Sequence, residues 1–163
     1  MLIVLDAVVD REMQQELTTL LAQVAFEDGT ATAGWSARLV KHNLQAAPDP
    51  AVEMWRDRLA ATLMANPLFA LAARPKRIIG PMFSRYVPGH RYGPHVDEPV
   101  MDAVRVDLAF TLFLSDPDLY DGGELTLDTA AGTEIHKHPA GSLVLYPATT
   151  LHHVAEVTRG ARV

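Results

Sequence analysis

Two hydrophobic periods divide the chain near Pro75, helical before it and alternating after it. Residues 2–9 are apolar and rich in β-branched side chains, which predicts a first strand. Asp10 then precedes Met13, Leu17, Leu20, Leu21 and Val24, whose recurrence predicts an amphipathic helix capped by the aspartate. Residues 26–48 are weakly patterned and broken by Gly29 and Gly34, as expected of short strands and loops. Asp49-Pro50 supplies a second cap with proline at the first helical position. Val52, Trp55, Leu59 and Leu63 form that helix's apolar stripe, and Asn66-Pro67 is expected to stop it.

Past Pro75 the pattern becomes that of strands. From Val104 to Leu114 every even position is apolar, whereas the odd positions hold Arg105, Asp107, Ala109 and Thr111, with Phe113 the exception. Such alternation predicts one long strand with a single face in a core. Asp121-Gly122-Gly123, Ala131-Gly132 and Ala140-Gly141 are turn signals. They separate predicted strands at Glu124–Asp128, Thr133–His138 and Ser142–Tyr146, and Pro147 ends the last of these. His153–Val157 and a start at Ala161 complete the series. Short strands at this spacing predict a sandwich or barrel. No repeat, low-complexity tract or linker interrupts the chain. One domain over residues 1–163 is therefore expected, with 1–75 as helical and strand support and 76–163 as the β core.

Composition narrows the chemistry. The 163 residues carry a formal charge of -6, which gives no electrostatic basis for binding nucleic acid or anionic lipid. Cysteine is absent, so a metal site would have to use nitrogen and oxygen ligands. Met1–Leu5 lacks a basic flank and is followed by Asp6, which reads as a strand rather than a signal peptide. No apolar run approaches the ~20 residues a membrane helix needs. A cytoplasmic protein without membrane or nucleic-acid partners is the expectation.

His95-Val96-Asp97 and the distant His152 are the chemical signal. Residues i and i+2 of a strand share a face, so His95 and Asp97 can reach one ion, and His152 adds a second imidazole. Two histidines and one carboxylate leave coordination positions open, an arrangement typical of non-haem Fe(II) oxygenases. The segment Arg85–Asp97, the stretch Leu143–His152 and Arg162 occur in an order that resembles the Fe(II)/2-oxoglutarate-dependent dioxygenases. The blocks Lys41–Gln45, Pro81–Tyr86, Asp107–Leu114, Tyr120–Leu125 and Thr158–Arg162 look most like the PKHD-type hydroxylases of that superfamily, named for prolyl- and lysyl-hydroxylase-like domains. The likeness spans nearly the whole chain.

This resemblance implies an α+β, mainly β protein: a double-stranded β-helix (jelly-roll) barrel braced by two N-terminal helices. It implies His95, Asp97 and His152 as ligands of Fe(II), with 2-oxoglutarate as chelating cosubstrate and O2 as oxidant. Succinate and CO2 would be released as a substrate is hydroxylated, and ascorbate would help keep the iron reduced. Arg162 is expected to fork onto the far carboxylate of 2-oxoglutarate, with Tyr86 as a hydroxyl partner. The substrate, a small molecule or a peptidyl residue, is not readable from these motifs. PKHD-type proteins continue past the position of Val163, so the last strand is expected to be incomplete here. Arg162 would lie near a fraying end, and a neighbouring strand edge would be left unpaired.

Other residues have simpler readings. Alternation sends His153 to the face opposite His152. His136 and His138 could form a separate pair, but beside Glu134 and Lys137 they are expected to be solvated. His90 reads as an exposed loop histidine, and Trp35 and Trp55 as packing aromatics. Arg105 and Asp107 could line a substrate mouth or form a surface pair. A non-catalytic jelly-roll that holds metal or a small acid, and a cupin-like metalloenzyme without 2-oxoglutarate, are the alternative functions.

Overall fold

A computed structural model describes residues 2–35 and 37–163. The elements run β1 (Ile3–Leu5), α1 (Arg11–Gln23), β2 (Phe26–Asp28), β3 (Lys41–His42), β4 (Leu44–Ala46), α2 (Pro50–Ala65), α3 (Pro67–Ala73) and β5 (Ser84–Arg85). They continue with β6 (Arg91–His95), β7 (Val100–Met101), β8 (Val104–Arg105), β9 (Leu108–Leu112), β10 (Tyr120–Asp121), β11 (Leu125–Thr129), β12 (Gly132–His136), β13 (Leu143–Pro147), β14 (Leu151–Val154) and β15 (Arg159–Gly160).

Local chemistry accounts for the helices. Asp10 accepts the Met13 N–H at 2.8 Å and Asp49 accepts the Ala51 N–H at 2.7 Å. Each cap satisfies a helix-end donor and contributes about 1 kcal/mol. Asn66 does end α2, but its side-chain oxygen also accepts from the Leu68 and Phe69 amides and opens a third helix. The expected two helices are therefore three, because one asparagine caps both ends of the break.

Two antiparallel sheets form the body of the jelly-roll. One has the order β12-β11-β14-β6-β3, the other β1-β13-β9, and β2-β4-β5 flanks them. The main core joins the helices to the smaller sheet: Leu17, Leu21, Val52, Leu59 and Leu63 pack with Leu143 and Leu145. A second cluster of Phe113, Leu125, Leu127, Val144 and Tyr146 fills the space between the sheets.

The long strand expected over Val104–Leu114 is two strands. Val104–Arg105 turns back on Val100–Met101, and Leu108–Leu112 pairs with β13. Alternation is present in both, but the inference of one buried face is wrong. Leu108, Phe110 and Leu112 pack toward the helices, whereas Ala109 packs with Phe113 between the sheets. Boundaries elsewhere shift by a few residues: β1 covers only Ile3–Leu5, and β14 begins at Leu151 rather than His153. The terminal segment pairs at Arg159–Gly160 with β10, and Arg162 forms a bridge with Tyr86.

Candidate metal and cosubstrate site

β6 and β14 are neighbours, and their register sets His95 directly opposite His152. Both imidazoles are buried, with ring centroids 4.2 Å apart. Each is held by a carbonyl two residues earlier: His95 Nδ1 lies 2.8 Å from Gly93 O, and His152 Nδ1 lies 2.9 Å from Thr150 O. A carbonyl can only accept, so Nδ1 carries the proton in both rings and Nε2 presents its lone pair. Gly93 is needed here because a Cβ at that position would sit 2.8 Å from Val40 Cβ.

Asp97 lies past the end of β6, which stops at His95, rather than on the strand as the spacing suggested. Its amide is nevertheless tied to Ala148 O at 3.1 Å. That bond brings Asp97 Oδ1 to 3.8 Å from His152 Nε2. One ligand atom from each of His95, Asp97 and His152 falls within 4.8 Å of the others, the only such metal-competent group among the described residues.

The electrostatics suit a cation. Burial, with His152 adding to it, lowers His95 to about 4, so the ring stays neutral and its lone pair is available near pH 7. Burial raises Asp97, and the nearby His152 and Lys41 only partly offset this. A divalent ion would restore the favourable environment that desolvation removes from the carboxylate. Tyr92 stacks on His95 at 3.6 Å and Tyr146 tilts over His152 at 5.0 Å, fixing both rings from the side.

Arg162 lies at the other end of the same cavity, which has a volume of about 850 Å³ and is also lined by Tyr86, His95, Asp97 and His152. It is not frayed: its amide donates to Tyr86 O at 2.9 Å and its carbonyl accepts from Tyr86 N at 2.8 Å. The guanidinium is buried and stands 5.1 Å from the Tyr86 ring and 5.5 Å from that of Phe113. Gly123, at φ +67°, makes room for it, since a Cβ there would lie 3.0 Å from Arg162 Cδ. Arg162 Nε and Tyr120 Oη are buried without a hydrogen-bond partner. Burial raises both Tyr86 and Tyr120, with Arg162 pulling each back. Unpartnered buried donors of this kind fit an anionic ligand with oxygen acceptors.

Sequence reasoning missed Tyr120, Tyr92 and Tyr146. Tyr120 directly precedes the Asp121-Gly122-Gly123 turn signal, and Gly123, where a Cβ would lie 3.1 Å from the Tyr120 ring and 3.0 Å from Arg162 Cδ, marks the space these side chains need. The remaining candidates fall outside the site. His153 is on the opposite strand face from His152, as alternation requires. His136 is 7% exposed rather than solvated, because β12 pairs it with the inward-facing Leu125. Its Nδ1 is 3.1 Å from His138 Nε2. His90 is half-buried rather than exposed, with an unpartnered Nδ1. Trp55 is core, whereas Trp35 is exposed. Arg105 and Asp107 form an exposed 2.6 Å ion pair at the cavity rim.

A jelly-roll whose adjacent strands gather two imidazoles and a carboxylate defines a class, the non-haem metal oxygenases. Residues 81–163 match the family described as the 2OG-Fe(II) oxygenase superfamily. The chain is 43% identical over 152 residues to a PKHD-type hydroxylase of Picosynechococcus, covering 93% of this chain and 69% of that protein. A PKHD-type hydroxylase of Maricaulis maris is 46% identical over 163 residues, covering 100% of this chain and 74% of its own length. The chain thus belongs to the 2OG-Fe(II) oxygenase superfamily and, within it, to the PKHD-type hydroxylases.

Solved structures agree on the fold. A Pseudomonas putida prolyl-4-hydroxylase superposes with a TM-score of 0.67 at 19% identity, covering 99% of this chain and 87% of that one. A viral collagen prolyl hydroxylase from Paramecium bursaria Chlorella virus-1, in a 2OG complex, gives 0.68 at 16% identity, covering 99% and 91%. Membership makes the chain an oxygenase that uses Fe(II) and 2-oxoglutarate, and the donor set fits both. No helix among the described residues is long and apolar enough to cross a membrane.

Proposed function

We propose that this chain hydroxylates a substrate carbon, with His95, Asp97 and His152 holding Fe(II) and Arg162 and Tyr86 anchoring 2-oxoglutarate. The observation that carries this reading is the convergence of two Nε2 atoms and one carboxylate on a cavity whose far end holds a buried guanidinium with an unpartnered Nε. Fe(II) held by His95, Asp97 and His152, with 2-oxoglutarate anchored by Arg162 and Tyr86, would supply the oxidising power, with one oxygen atom of O2 going to succinate as CO2 is lost and the other to the substrate carbon.

The protein's share is positional. Gly93 and Thr150 carbonyls fix the tautomers, so neither ring must reorient to bind metal. Asp97 supplies the anionic ligand. Arg162 and the Tyr86 hydroxyl would hold the far carboxylate, with the buried Tyr120 packed beside Arg162 against Gly123. Buried tyrosines around the triad keep the reacting centre apart from bulk water. Ascorbate would return idly oxidised iron to Fe(II). We take residues 1–163 to act as one domain, since α1 and α2 share a core with β13. The substrate is either a small molecule or a peptidyl residue reaching the triad.

Anaerobic titration with Fe(II) and then 2-oxoglutarate tests the assignment through the weak visible charge-transfer band of the chelate. The band should appear in the parent protein and vanish in His95→Ala. An unchanged band in that variant would overturn the ligand set.

A further inference from the structure

His136 and His138 lie outside the chamber, on the edge strand β12 and the residues that follow it. Alternation puts Glu134 and His136 on one face, opposite the buried Leu127 and Leu125 of β11. His136 is 7% exposed, whereas His138 is half-buried and open to solvent on one side. Neither imidazole lines the cavity that holds the triad.

The polar atoms of this cluster are only partly satisfied. His136 Nδ1 stands 3.1 Å from His138 Nε2, so one of these two nitrogens carries the proton that joins them. His136 Nε2 is buried with no hydrogen-bond partner, and the Glu134 carboxylate lies 3.8 Å from it. An anion on that side favours the proton on Nε2, which leaves the Nδ1 lone pair directed at His138. Burial lowers the His136 pKa, with His138 adding to it and Glu134 opposing, so the ring is neutral near pH 7. A carboxylate behind one ring nitrogen, with the other nitrogen facing outward, is how proteins orient a histidine toward a metal.

The spacing fits an ion as well as a proton. Two imidazole nitrogens on one tetrahedral ion, each at about 2.1 Å, are about 3.4 Å apart. His136 and His138 need to open by only about 0.3 Å to reach that separation. The proton on His138 Nε2 would move through solvent to its Nδ1, and both lone pairs would then face the ion. The surrounding frame is fixed. β12 holds His136 opposite Leu125, and the Phe113 ring meets His138 edge-on with centroids 5.5 Å apart. Lys137, between the two histidines, donates to Tyr120 O at 2.9 Å, and Glu124 at 3.8 Å offsets its charge.

We propose that His136 and His138 form a second metal site, a two-imidazole chelate for Zn(II) or a like borderline divalent ion, with Glu134 as the positioning carboxylate. Water or an exogenous donor fills the remaining coordination positions. The site shares no ligand with the triad, so it stands or falls independently of the proposed catalysis.

Calorimetric titration of the full chain with Zn(II) tests this in the parent protein and in His95→Ala, which disables the first site. One tight equivalent should remain in His95→Ala. Adding His138→Gln to that variant should weaken the remaining equivalent at least about tenfold, and adding Glu134→Gln about tenfold. Nitrogen NMR of the imidazoles in the parent protein reads the same site without any substitution. Zn(II) should move His136 Nδ1 and His138 Nε2 to the shifts of metal-bound nitrogens. Unchanged affinity on adding His138→Gln, or signals of this pair that stay in place at saturating Zn(II), would overturn the site. Coordination through His136 Nε2 in place of Nδ1 would overturn the chelate and the role of Glu134.

Discussion

The two ends of the chamber are built on opposite principles. At the metal end every ring proton already has a partner: His95 and His152 each bond a carbonyl two residues back, and Asp97 is fixed through its own amide. At the guanidinium end, Arg162 Nε and Tyr120 Oη are buried without partners. Carbonyl bonds at the first end fix where the donors point before any ion arrives. Unpartnered donors at the second carry a standing desolvation cost, about 1–3 kcal/mol each, that a carboxylate ligand would relieve. The metal end is thus organised in advance, whereas the other end is organised by what it binds.

Asp97→Ala is the largest test of this difference. Iron affinity should fall at least about a hundredfold and 2-oxoglutarate turnover should vanish. The metal-free protein should be no less stable in a thermal melt at pH 7. Burial raises the Asp97 pKa. A carboxyl whose folded pKa lies above its unfolded value loses stability as pH rises through that window, so removing it lifts a penalty. A clear drop in metal-free stability would show that the carboxylate holds the fold rather than the ion.

At the opposite end, Arg162→Lys should raise the 2-oxoglutarate KM about tenfold or more while iron affinity stays unchanged. A lysine offers a point charge in place of a fork and loses the contact with the Tyr86 and Phe113 rings. A parallel loss of iron affinity would mean the two ends are not separable. Tyr120→Phe should be smaller and of mixed sign. Removing an unpartnered buried hydroxyl should leave unliganded stability unchanged or raised, and 2-oxoglutarate binding should weaken by about 1 kcal/mol. Calorimetry of both quantities checks it, and destabilisation without a change in binding would remove Tyr120 from the site.

The same contrast explains what could be read from the sequence. The ligand residues were legible because a strand period and a short motif encode them, even though Asp97 proved to lie beyond the strand. α1 and α2 were legible because Asp10 and Asp49 announce them chemically. Tyr120 was not, because its packing depends on the space Gly123 leaves and on Arg162, which arrives from some forty residues further along the sequence. α3 was missed because Asn66-Pro67 signals a stop and a start with the same two residues. The Val104–Leu114 strand was misjudged because alternation marks two different faces without saying that both are covered: helices lie on one side and the opposite sheet on the other. His136 failed for the same reason in reverse, since a polar residue on an edge strand was assumed to face water.

Lys41 gives the smallest expected effect and the sharpest sign. It is 3% exposed, donates to Thr32 Oγ1 at 3.0 Å, and stands 5.2 Å from the ring of Tyr92, which in turn stacks on His95. Burial lowers its pKa to about 8 from an ordinary value of 10.5, against the opposing pull of Asp28 and Asp97. Between those two values the unfolded chain binds more protons than the folded one, so stability should rise with pH across that window and be flat just below it. Lys41→Met should remove this rise, with little change in, or a gain of, stability at pH 7, because an aliphatic side chain of similar length needs no buried charge. Urea midpoints from pH 7 to pH 10.5 measure both effects. An identical slope in the variant would mean that the ammonium beneath Tyr92 is not the group that titrates, and that the fixed geometry of the metal end owes nothing to the charge packed behind it.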